Sequence, residues 1–70
     1  MALKFQVSTL ENQQAAQDLR QLILTSEPQA DVDVNVQART VTIDSQASEE
    51  TFKELIVAAG HAIADVQRLG

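Results

Sequence analysis

The chain has 70 residues, with ten acidic side chains against five basic ones, a formal net charge of -5 and no cysteine. That length supports one small domain over residues 1–70, which buries only about 60% of its unfolded surface and gains from association with a partner. The missing cysteines exclude disulfide staples, thiolate metal sites, iron-sulfur clusters and cysteine catalysis.

Leu, Ile, Val and Phe make up twenty of the residues, too many for a disordered segment, so a fold is expected. Lys4, Arg20, Arg39, Lys53 and Arg68 form no stripe with aromatics, since Phe5 and Phe52 occupy core positions. This is not the footprint of a nucleic-acid binder or of a protein seeking an anionic membrane surface. The start, Met1-Ala2-Leu3-Lys4-Phe5-Gln6, turns polar early for a signal peptide, and no apolar run reaches the length of a membrane span, so a cytoplasmic location is expected.

Leu3, Phe5 and Val7 alternate with Lys4, Gln6 and Ser8, the two-residue period of a strand with one buried face. Ser8, Thr9 and Asn12 are three candidate helix caps. The run after them keeps Ala15 or Ala16, Leu19, Leu22 and Ile23 on one side and Gln13, Gln14, Gln17, Asp18 and Gln21 on the other, an amphipathic helix of about three or four turns. Thr25-Ser26-Glu27-Pro28 ends it, because proline lacks the amide proton and moves its predecessor out of helical geometry.

Val32, Val34 and Val36 alternate with Asp31, Asp33, Asn35 and Gln37, and the pattern resumes at Val41 and Ile43 after a turn near Gln37-Ala38-Arg39-Thr40, which reads as a hairpin. Ser48 with Glu49 and Glu50 is a cap followed by two acids suited to a helix's positive end. The helix it opens turns Phe52, Leu55, Ile56 and Ala59 inward, and Gly60 suits the position just past its end. Ile63 and Val66 indicate a short edge strand with weak alternation. The order βαββαβ predicts an α+β, ferredoxin-like fold, a four-stranded antiparallel sheet with two helices on one face.

This pattern resembles the heavy-metal-associated domain, the family of Atx1-like copper chaperones and of the amino-terminal modules of copper-transporting ATPases. The resemblance rests on Leu10-Glu11-Asn12-Gln13-Gln14-Ala15, with Leu19 and Leu22 further along the helix, on Asp33 to Ile43, and on Ala58-Ala59-Gly60-His61. It is to small bacterial members, cyanobacterial ones among them, some of which use a histidine at the position of His61 beside two thiolates. The family's Cys-x-x-Cys pair is missing: Asn12 stands at the first position and Ala15 at the second. Cu(I) selects thiolate and thioether ligands, so the family's transfer site cannot form from an amide and a methyl group. What the resemblance implies instead is a docking face of Leu10, Glu11, Asn12, Gln13, Gln14 and His61, with Leu10 partly exposed. Its partner would be another protein domain, such as a module of a metal-transport ATPase or a second copy.

The simpler readings stand beside these. Asn12 is first of all an N-cap and Ala15 a good helix former. His61 follows a helix end whose negative pole suits an imidazolium without any ligand, although a lone imidazole, with the Met1 amine or a carboxylate, could hold Cu, Zn or Ni weakly. Asp31-Val32-Asp33-Val34-Asn35 imitates the start of a calcium loop, but Val36 replaces its glycine and Thr42 its final glutamate. Asp44, Ser45, Ser48, Glu49, Glu50 and His61 supply catalytic residue types in capping and turn contexts, with nothing to fix a nucleophile against a base. Gly60 and Gly70 are isolated, so no phosphate loop is present. The sequence therefore predicts a non-catalytic interaction or regulatory module without a resident cofactor. The alternative is a chaperone-like protein that binds a borderline metal weakly through His61.

Overall fold

The computed structural model describes residues 2–69. β1 (Ala2–Val7), α1 (Gln13–Ser26), β2 (Asp31–Asn35), β3 (Thr40–Asp44), α2 (Glu49–Ala58) and β4 (Ile63–Leu69) follow in the expected βαββαβ order. The sheet is antiparallel with strand order β2-β3-β1-β4, so β1 and β3 are central and β2 and β4 are edges. This is the ferredoxin-like arrangement. Leu3, Phe5 and Val7 of β1 and Val41 and Ile43 of β3 are buried beneath the helices, where Ala16, Leu19 and Ile23 of α1 and Phe52 and Ile56 of α2 complete the core.

α1 opens at Asn12, whose extended backbone and accepting side chain make it the N-cap, and ends as Glu27, held before Pro28, donates its amide to Ile23 O at 2.8 Å. Of the two alanines left open by the sequence, Ala16 is buried and Ala15 half-buried; Leu22 is also half-buried. α2 is capped by Ser48 and carries Glu49 and Glu50 in its first turn. It closes in a Schellman motif: Gly60 N–H donates to Val57 O at 2.9 Å and His61 N–H to Ile56 O at 3.2 Å, with Gly60 at φ 89°. Ala59 is exposed, not inward, because the helix stops at Ala58 and Ala59 is its C-cap; Leu55 is half-buried.

The hairpin turn covers Val36 to Arg39, and Thr40, expected in the turn, is the first residue of β3. Asn35 Oδ1 accepts the Ala38 amide at 3.0 Å, and Arg39 adopts a left-handed φ of 56°. β4 is longer than expected, seven residues of which six pair with β1. Its register shifts between Gln6, opposite Asp65, and Val7, opposite Ile63, so Ala64 is an extra residue. That bulge turns both Ile63 and Val66 toward the helices although they are three apart, which is why the strand's alternation reads weakly.

Candidate functional site

Three connections meet at one end of the sheet, where β1 stops and β3 and β4 begin: residues 8–12, the turn 36–39, and residues 59–62. The first holds Asn12, which opens α1, and the third holds His61. Hydrogen bonds between residues far apart in sequence join all three. Thr9 Oγ1 accepts the Ala62 amide at 3.0 Å and lies 2.8 Å from His61 Nδ1. Arg39 Nη1 donates to Ser8 O at 3.3 Å, and Val7 N–H donates to Arg39 O at 2.8 Å. Gln6 Nε2 donates to Ala38 O at 3.0 Å and to Arg39 O at 3.1 Å.

Within the first loop, Leu10 N–H donates to Val7 O at 3.1 Å, a tight turn that carries the Leu10 side chain inward. Leu10 is fully buried and joins the main core cluster. This corrects the expectation that it forms part of an exposed docking patch: an aliphatic side chain that reaches the core gains more there than at the surface. The remaining residues of that patch lie as the sequence suggests, with Glu11, Asn12, Gln13 and Gln14 exposed and His61 half-buried.

Asn12 Oδ1 accepts the Ala15 amide at 2.8 Å, and Asn12 O accepts the Ala16 amide at 3.1 Å. The Asn12 side chain is therefore engaged in closing a helix, and the methyl group of Ala15 brings no donor. Hard amide oxygen and aliphatic carbon do not fit a soft cation. Among the described residues, no group of three or more His, Cys, Asp and Glu side chains could hold a metal ion. Met1, whose amine is a candidate ligand by sequence, lies outside the described residues, as does Gly70. The residue types of a catalytic site do not converge: Ser48 caps α2, Glu49 pairs with Lys53 at 3.3 Å and with Arg68 at 3.5 Å, and His61 is bonded to Thr9 at the far end of the same helix. Asp31, Asp33 and Asn35 are exposed along β2, with Val32 and Val34 half-buried between them, as a strand rather than a calcium loop requires.

Two residues that organise this end carry no motif. Thr9 reads as one of several caps and Arg39 as a turn residue. Their roles depend on partners 31 to 53 positions away, and neither residue type signals them in the sequence.

No protein-family model and no curated protein matches the sequence. Solved structures do match. A trimeric form of a histidine-to-tyrosine mutant of the copper chaperone Atx1 from Synechocystis PCC6803 is 27% identical, covers 86% of this chain and 95% of its own, and superposes with a TM-score of 0.81. This is an Atx1-like, heavy-metal-associated fold built without cysteine. The Cu2 form of that chaperone is 28% identical over the same shares of the two chains, with a TM-score of 0.80. A gold binding protein is 21% identical over 87% of this chain and 94% of its own, with a TM-score of 0.84, and supports the fold alone. The structural neighbours are thus a copper chaperone and a gold binding protein, and this chain shares their fold without any cysteine. No helix among the described residues is long and apolar enough to cross a membrane.

Proposed function

We propose that the chain is a non-catalytic, cytoplasmic docking or regulatory module, a cysteine-free relative of the copper chaperones that recognises another protein domain through its loop end without exchanging metal. The observation that carries this reading is the use of Asn12 Oδ1 as the cap of α1, its bond made to the amide of Ala15; the resemblance matches these two residues to the positions where the family places its thiolates. The loop is closed by hydrogen bonds and presents Glu11, Asn12, Gln13 and Gln14 next to His61 on an otherwise intact scaffold. A trimeric form of a structural neighbour supports the idea that this fold associates with copies of itself or with similar domains.

The test is chemical-shift mapping of the full chain during titration with a heavy-metal-associated module of a metal-transporting ATPase, and separately over a range of its own concentration. Saturable shifts at residues 9–14 and 59–62 are expected in one arm or the other. Shifts confined to the open face of the sheet, around Lys4, Thr42 and Gln67, would contradict the assignment of the surface. Titration of the apo protein with Cu(I), Zn(II) and Ni(II), with His61→Ala as control, separates this function from weak imidazole-based metal binding.

A further inference from the structure

β2 is an edge strand. It pairs with β3 alone, so its outer side carries a row of backbone N–H and C=O groups that no strand of this chain satisfies. Its side chains alternate without a break. Val32 and Val34 pack against the core yet stay half-buried, while Asp31, Asp33 and Asn35 are exposed on the open face. Two open clefts follow this edge, one along Asp31, Asp33, Thr42 and Asp44 and one past its start at Glu27 and Ser45. Among the described residues, no basic side chain lines either. Lys4, the cation of the open face, stands on β1, two strands away from Asp33 and beyond Thr42. At the other edge of the sheet the signs are mixed: Arg68 on β4 lies 3.5 Å from Glu49, which Lys53 also meets at 3.3 Å.

We infer that β2 is a second interaction surface, which accepts an extended segment of a partner protein as a fifth strand, with Lys or Arg at alternate positions and aliphatic residues between them. A strand added to a sheet edge is held by main-chain bonds and selected by its side chains at every second position. Lys or Arg opposite Asp31 and Asp33 makes cross-strand pairs of opposite charge, and the aliphatic residues between them cover the exposed flanks of Val32 and Val34. A second copy of this chain offers the wrong strands. Its own β2 would bring carboxylates against carboxylates, and its β4 would add Asp65 to the same acidic face. Like charges opposite one another destabilise a strand pair. This surface is separate from the loop end and does not depend on the docking function proposed there.

The probe is a blocked synthetic peptide of about six residues, a usual strand length, in which Lys and Val alternate. Its control has the same composition, with the lysines first and the valines after them. Each is titrated into the full chain and followed in 1H–15N spectra. The alternating peptide is expected to give saturable shifts at the amides of residues 31–35, with slowed hydrogen exchange there, and to bind more tightly than the control. Asp31→Asn together with Asp33→Asn should weaken it about five-fold, the worth of two cross-strand charge pairs. Asp65→Asn, which removes an exposed acid at the far edge of the same face, should leave its affinity unchanged. Equal binding of the two peptides, or an equal loss in Asp65→Asn, would overturn the inference, since general attraction to an acidic protein then explains the binding. The absence of saturable shifts at residues 31–35, or shifts centred on residues 63–69, would overturn it as well. The comparison of the two peptides needs no variant and decides alone if the double variant does not fold. None of these outcomes bears on residues 9–14 and 59–62, whose titration tests the loop end separately.

Discussion

The two ends of the sheet are closed in different ways. At the end opposite the candidate site, local bonds shape the connections: Ala30 N–H donates to Glu27 O at 3.0 Å, Ala47 N–H to Ser45 Oγ at 3.1 Å, and Thr51 N–H to Ser48 Oγ at 3.3 Å. An open cleft there is lined by Glu27, Asp31 and Asp44 among polar neighbours. At the site end, residues 31 to 53 positions apart bond one another through Thr9, His61, Ala62, Arg39 and Ser8, and Leu10 is drawn into the core. The difference teaches how bonds between distant residues can hold the loops at one end of a sheet in place. At the site end the chain relies on one helix cap, one buried leucine and a bonded threonine-histidine pair.

If that comparison is right, substitutions at the site end should cost more than their counterparts at the other end. The largest effect is expected from Leu10→Ala, a destabilisation of about 2–5 kcal/mol in urea unfolding, as for other buried leucines. A loss below about 1 kcal/mol would mean that the loop is not anchored in the core. The two helix caps give a matched pair. Asn12→Ala should cost about 1–2 kcal/mol and Ser48→Ala about 0.5–1 kcal/mol by the same measurement, because the Asn12 bond is 2.8 Å against 3.3 Å for Ser48. The reverse order would break the comparison. Gly60→Ala should cost about 1 kcal/mol through its left-handed backbone alone, since an added methyl group meets no atom within 4 Å. The smallest effect belongs to Glu49→Gln, which removes the negative charge from the ion pairs with Lys53 and Arg68, side chains that are 39% and 71% exposed. A loss of about 0.5 kcal/mol or less, shrinking as salt is added to the thermal melt, is expected.

The same contrast marks what the sequence makes legible. The central strands, both helices, both caps and the glycine past α2 rest on periodicity and local bonds, which a linear reading contains. Departures begin where a partner is distant. Ala64 bulges against β1, so Ile63 and Val66 share a face that a two-residue period denies them. Ala59 falls outside the helix because the Schellman bonds from Gly60 and His61 end it one residue earlier. Leu10 was expected at the surface by resemblance to a loop whose chemistry it no longer shares, and the turn closed by its amide on Val7 takes it inward. Asn12 as a cap was readable from its residue type alone. The bond from Thr9 to His61 was not, because two polar residues 52 positions apart leave no pattern.

The central claim is that hydrogen bonds and not a metal ion organise the site end. The most direct test is the 1H–15N spectrum of the apo protein, recorded anaerobically with and without one equivalent of Cu(I). The account predicts that the amides of residues 8–15 and 59–62 and the ring of His61 keep their positions. Stoichiometric, saturable shifts centred on those residues and lost in His61→Ala would contradict it and return the protein to the metal carriers it resembles.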